Sequence, residues 1–307
     1  MTIHYYHSGQ AGAPVLTGQA GSLVNLLDKC LVDGFGSQAP AGWEVAFSGT
    51  DKRVYRSGTI GGTRHYYRVL NDASVAGGSA YSYIRGFHAM SDVDTGTGPY
   101  PTVAQRTHGV TWASSTTSDS VARQWAVIAD EKTVCFIVQG GADQRRTGFA
   151  FGEFEPASPS DVGHALVAGV SADANFNAAD VALNKNLGLG TFAGLFLASS
   201  PDGLTISVQG GLGLLNFTAV GNFGVTGAVY PNPHIAGPVL QPVLVHDSAG
   251  RRGTMRIMHS PEHSASGSFP LSGTEVIGLD GMPYVWQRWF AQNGSPSAEA
   301  AVLFEIG

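Results

Sequence analysis

Histidines and carboxylates are the residues best able to do chemistry in this chain, and their spacing narrows what that chemistry is. His259-Ser260-Pro261-Glu262-His263 sets two imidazoles four residues apart with a carboxylate between them. Zinc hydrolases carry a similar pair on one helical face. Here the order differs, and Pro261 disrupts the turn that would bring both rings to one metal, so the segment reads as a surface loop. Ser91-Asp92-Val93-Asp94-Thr95-Gly96-Thr97-Gly98 opens like a calcium loop, with two carboxylates and a glycine in suitable places. The position where a bidentate glutamate should close such a site is Val103, which predicts a Gly-rich turn instead. His4 and His7, with Tyr5 and Tyr6 between them, form either a metal-binding or stacking edge or an exposed terminal arm that packs on a neighbouring subunit. The arm is the preferred reading.

Glu153 and Glu155 share a face if residues 151–155 are a strand, and two carboxylates about 5 to 10 Å apart are what glycoside hydrolysis needs. Any chain with 23 acidic residues offers such pairs, so this one is kept only as the basis of a third hypothesis. No Gly-x-Ser-x-Gly elbow is present. Gly58-Thr59-Ile60-Gly61-Gly62 lacks the Lys-Ser/Thr that a phosphate loop requires. Tyr66, Tyr67, Tyr81, Tyr83, Trp112, Trp286 and Trp289 either stack on sugar rings or fill the core at alternate strand positions. No catalytic, cofactor-binding or metal-ligating residue is assigned, and no cofactor is expected.

The elements that position these residues follow from composition and period. The chain has 307 residues, 42 of them glycine, and only 13% are charged against 43% hydrophobic. It should therefore fold with many turns and little charged surface. Its 17 basic residues are four lysines and 13 arginines, a bias that suits buried protein interfaces. A net charge of −6 and the lack of a dense basic run argue against a nucleic-acid groove. Cys30 and Cys135 have no metal-like spacing and read as reduced, buried small residues. The start, Met1-Thr2-Ile3-His4-Tyr5-Tyr6-His7, has neither the basic patch nor the apolar core of a signal peptide, so the product is expected to stay in the cytosol where it is made.

Leu23, Val24, Leu26, Leu27, Cys30 and Leu31 repeat at helical spacing, with Ser22 as the expected N-cap and Gly34 as the stop. Beyond them the period is two. Residues 43–47 and 54–56 flank Gly49-Thr50-Asp51-Lys52 as a hairpin, further strands are expected at 64–70 and 81–89, and 125–129 and 134–139 flank Asp130-Glu131-Lys132-Thr133 as a second hairpin. The expected fold is mainly β: β-sandwich or barrel-like domains with one short N-terminal helix. The pattern breaks at Glu155-Pro156-Ala157-Ser158-Pro159-Ser160. This divides a β-rich domain at 1–155 from a second at 156–307, unless the break is a loop inside one domain.

Between Asn186 and His246 the only formal charge is Asp202. The glycines and asparagines of 204–230 oppose a membrane helix there. A Gly-punctuated sheet or extended loop shielded by neighbouring subunits is the expectation, with Leu212, Leu214, Leu215, Phe217, Phe223 and Tyr230 joining Tyr5 and Tyr6 at the interface.

Residues 12–23, from Gly12-Ala13-Pro14-Val15-Leu16-Thr17-Gly18-Gln19 onward, then Leu26-Leu27-Asp28-Lys29-Cys30-Leu31-Val32-Asp33-Gly34-Phe35-Gly36-Ser37, and the block from Ala41-Gly42-Trp43-Glu44 to Val54-Tyr55-Arg56 carry a family likeness. They resemble the start of uncharacterised virion and tail-region proteins of tailed bacteriophages and prophages. Ala122-Arg123-Gln124-Trp125, Phe151-Gly152-Glu153-Phe154, Arg251-Arg252-Gly253-Thr254-Met255-Arg256-Ile257 and Tyr284-Val285-Trp286-Gln287-Arg288 are similar in patches. The resemblance implies a particle component and carries no catalytic residues. It gives the first expectation: a non-enzymatic, multi-copy virion structural protein of the tail or head-tail region, made in the host cytoplasm. Its partners would be itself and other virion proteins, with no nucleic acid and no membrane span. The alternative is a lectin-like module of the adsorption apparatus that touches host-surface glycan through Trp286 and Trp289.

Overall fold

The computed structural model describes residues 2–58, 62–71, 81–113, 118–139, 146–169, 194–213, 240–261, 274–277, 282–288 and 301–306. The fold is mainly β, as its sequence pattern predicts, with two antiparallel sheets and one short helix. The smaller sheet holds β2 (Trp43–Gly49), β3 (Lys52–Ser57), β4 (Tyr66–Leu70), β5 (Tyr81–Met90) and β6 (Gly96–Tyr100) in that order, and β7 (Val110–Ala113) pairs with the first half of β5. The expected hairpin at 43–57 is present, with a bulge between Val45 and Phe47.

The larger sheet begins with β1 (His4–His7), β8 (Gln124–Ala129), β9 (Thr133–Gln139) and β10 (Arg146–Glu153). It continues through β12 (Ala165–Ala168), β13 (Leu195–Ser199), β14 (Ile206–Gly213), β15 (Leu240–Asp247), β16 (Gly250–Pro261), β19 (Ala301–Glu305), β18 (Pro283–Arg288) and β17 (Thr274–Ile277). The two-residue β11 (Glu155–Pro156) follows β10 directly yet pairs with β16, so the sheet curls into a half-barrel that returns to its own middle. Gly253 permits this return: a Cβ there would lie 2.1 Å from the carbonyl oxygen of Glu155. The expected boundary at 155/156 falls within this one hydrogen-bonded sheet.

Period-two alternation explains where the cores lie. On β8 and β9, Trp125, Val127, Ala129, Val134, Phe136 and Val138 face the small sheet, whereas Ala126, Ile128, Cys135 and Ile137 face the other way. That second face packs against Val243, Val245, Met255, Ile257 and Val285 from the curled-over half of the same sheet. The run from Val134 to Val138 is apolar without interruption because both of its faces are buried, the pattern expected of a central layer. Removing side chains of this size from water contributes about 1.5 to 3 kcal/mol each.

The helix α1 (Ser22–Asp28) continues as a π-helical turn over Lys29–Asp33 and ends at Gly34, the expected stop. Its start differs from the expectation. Gly21 is the N-cap at φ 77°, and the Asn71 side chain accepts the Leu23 N–H, while Ser22 Oγ accepts from the Thr17 N–H. Leu23, Val24, Leu26, Leu27, Cys30 and Leu31 cover one end of the core between the sheets. Arg53 and Tyr55 of β3 donate to opposite oxygens of Asp28 and fix the helix to the small sheet.

The N-terminal segment is not a free arm. β1 pairs residue for residue with β8, and the excursion over 8–123, with the helix and the whole small sheet, lies between these two neighbouring strands. Tyr6 is fully buried in the chain's own core, with its hydroxyl on the Ala39 carbonyl, and Tyr5 is half-buried on the opposite face. Burial of the Tyr6 ring removes it from any interface with a neighbour.

Candidate functional site

The densest gathering of titratable side chains among the described residues lies where the two sheets meet. On β10, Phe149 and Phe151 point between the sheets, and Glu153, 4% exposed, takes the next position in that row. Tyr67 of β4 stacks on Phe151 at 5.1 Å, and Tyr100 of β6 meets Tyr67 edge-on. Gly86 makes room for Tyr100: a Cβ at Gly86 would lie 2.1 Å from the ring. The ring lies over the strand, and its hydroxyl reaches His65 Nδ1 at 3.0 Å. His65 stacks on His88 at 4.6 Å, and His88 Nε2 stands 3.2 Å from the Ala198 carbonyl of the large sheet.

Glu153 is held rather than free. Its Oε1 accepts from Thr63 N–H at 2.5 Å and from Thr63 Oγ1 at 3.0 Å, with Lys132 and His164 each 3.9 Å from Oε2. Burial, then the neighbouring His88 and His164, pushes the His65 imidazole down to about 3, so it is neutral at physiological pH. Burial raises both the Tyr67 and Tyr100 phenols far above their ordinary value. The Tyr67 hydroxyl is buried. The Tyr100 hydroxyl approaches it without completing hydrogen-bond geometry. The cluster therefore offers one carboxylate with its donors in place, beside the neutral His65 imidazole and two protonated phenols. It joins the small sheet to β10, and acid is what would disturb it.

Two further ionic centres bind the curled half-barrel together. Arg252, 4% exposed, makes a two-point contact with Asp161 at 2.8 Å through Nε and Nη2, and its Nη1 donates to Asp247 at 2.9 Å. Arg256 contacts Asp130 at 3.0 Å and Glu155 at 3.2 Å. Asp130 also closes the expected hairpin turn by accepting from the Lys132 and Thr133 N–H groups.

These contacts decide several sequence expectations. Glu153 and Glu155 do not share one environment: Glu153 is buried at the sheet seam, whereas Glu155 is exposed and engaged by Arg256, with the break between β10 and β11 between them. In the Ser91–Gly98 segment, Asp92 accepts from the N–H groups of Asp94 and Thr95, which hold its carboxyl below the usual range, and Asp94 is paired with Lys52. No group of three or more His, Cys, Asp or Glu among the described residues is placed to hold a metal. Cys30 and Cys135 are free and buried. Of the aromatic set, Tyr67, Tyr83 and Trp112 are buried, and Tyr66 lies under Arg56 at 4.7 Å.

Leu212 belongs to β14 and Trp286 to β18 by backbone pairing. Leu214, Leu215, Phe217, Phe223, Tyr230, Trp289 and His263 lie outside the described residues. No helix among the described residues is long and apolar enough to cross a membrane. Of the seam cluster, Glu153 and Tyr67 stand out in the sequence and the others do not, because strand register brings them together from positions far apart in the chain. No protein-family model matches the chain, and neither does any curated protein sequence.

Proposed function

We propose that this chain is a structural subunit of a tailed-bacteriophage particle, a multi-copy component of the tail or head-tail region that acts through subunit contacts and is not an enzyme. The likeness over residues 12–56 motivates the reading. The observation that carries it is an exposed apolar tip where the turn between β13 and β14 meets the segment between β11 and β12. Leu204 is 84% exposed, Val162 60% and Ile206 39%, and the tip is held by hydrogen bonds from Val162 N–H to the Pro201 carbonyl and from Ser200 N–H to the Thr205 carbonyl. Grouped apolar side chains on a braced turn suit contact with another protein surface. Asp202 beside them is the only charge in the 186–246 stretch.

Reconstruction of particles of the phage that encodes the chain tests the proposal. The expected result is a symmetric ring or array of copies with the Leu204 tip against a neighbour; absence of the chain from purified particles overturns it. Glycan-array binding that disappears on changing Trp286 or Trp289 would replace the assembly role with host-surface recognition.

A further inference from the structure

The outer face of the small sheet, turned away from the main core, sets two arginines against each other. β4 and β5 pair with Arg68 directly opposite Arg85. Like charges in that relation destabilise a sheet, since opposite Cβ atoms stand about 5 Å apart. Both side chains lie on the outer face: Tyr67, Val69 and Ile84 alternate with them into the inter-sheet core, and Arg68 lies over the Phe87 ring at 5.3 Å.

Arg85 is the unusual member of the pair. It is 4% exposed, its Nη2 donates to the Arg106 carbonyl, and its Nε–H is buried with no acceptor. No carboxylate among the described residues pairs with it. Burial first, and then the charge of Arg68, bring its guanidinium down to about 10. Among the described residues, Asp94 on this face pairs with Lys52 at 2.9 Å and stands 3.7 Å from Arg68. Asp94 is half-exposed, and it does not pair with Arg85.

A buried guanidinium with one neutral acceptor is costly, and a fork of N–H donors beside a second guanidinium is the arrangement that recognises an oxyanion. We infer that Arg68 and Arg85 form a binding site for a small oxyanion, a phosphate or a carboxylate, on the outer face of the small sheet. The bound anion would accept from the Arg85 Nε–H and from Arg68, and would separate two like charges that the strand register forces together. This site is independent of the assembly role proposed above.

The test is a thermal-unfolding titration of the full chain with inorganic phosphate and with acetate, each against chloride at equal ionic strength, repeated on Arg85→Gln. A saturable rise in melting temperature is expected in the wild type, with binding at least about tenfold weaker in the variant, the scale of one charge-assisted hydrogen bond. A response to phosphate alone identifies a phosphate site; a response to both anions identifies a carboxylate-accepting one. Equal behaviour in all three salts overturns the inference, and so does a phosphate response that Arg85→Gln leaves unchanged. If Arg85→Gln does not fold, Arg68→Gln carries the same comparison.

Discussion

Arg252 and Arg85 are both 4% exposed and both sit on strands, yet their surroundings are opposite. Arg252 has two carboxylates and the Ser199 carbonyl around its fork, and hydrogen bonds to Asp161 and Asp247 raise its affinity for the proton despite burial. Arg85 has one backbone carbonyl and a facing arginine. Equal burial thus produces a closed internal clamp in one sheet and an open charge in the other. The difference separates structure from recognition: a buried cation whose partners all come from its own chain holds the fold, and one whose partners are missing is available to something else.

The largest effect expected from this contrast comes from Arg252→Met. It strands Asp161 and Asp247 without a counter-charge and should cost about 3 to 5 kcal/mol in urea unfolding at neutral pH. A loss under about 1 kcal/mol would erase the contrast.

Acid should produce the next effect, through the neutral His65 at the seam. The unfolded chain protonates His65 near its ordinary 6.5, while the folded chain resists down to about 3. Between those values the unfolded state holds more protons, so the contribution of neutral His65 is complete above 6.5 and shrinks as pH falls. Moving from pH 6.5 to about pH 5 should remove roughly 1.5 kcal/mol. Stability measured against pH for His65→Gln should be flatter than wild type over that window, and parallel curves would remove His65 from the account.

Arg85→Met, in chloride and without phosphate, should change stability by less than about 1 kcal/mol or increase it, because it removes a charge rather than a pair. A loss as large as that of Arg252→Met would show that Arg85 is structural after all. The smallest effect belongs to the exposed Lys29–Asp33 pair on the helix, 2.9 Å apart, where a double-mutant cycle should return no more than about 0.5 kcal/mol.

Local signals in the sequence carried the elements. The Trp43 to Arg56 hairpin and the leucine spacing of the helix are written in neighbouring residues, and the structure keeps both. The helix cap was not legible, because the acceptor for Leu23 is Asn71, far along the chain. The unbroken apolar run at 134–138 marked a strand, but that both of its faces are covered depends on a sheet that returns over itself through Gly253 and Glu155. The same holds for the candidate sites. Arg68 and Arg85 are ordinary arginines until register sets them opposite each other, and the sequence sets Glu153 beside Glu155, whereas its neighbours in the fold are Thr63, Lys132 and His164.

The excursion that separates β1 from β8 has a consequence in time. His7 pairs with Ala126 only after the chain between them has closed, and that chain must first be compact for closure to be affordable. The hairpins at 43–57 and 124–139 need no such wait. Folding is therefore expected to run from the local hairpins to the stacked sheets, with β1 docking late on the sheet edge. In native-state hydrogen exchange its amides should open earlier than those of β9, which is enclosed on both faces and paired on both sides.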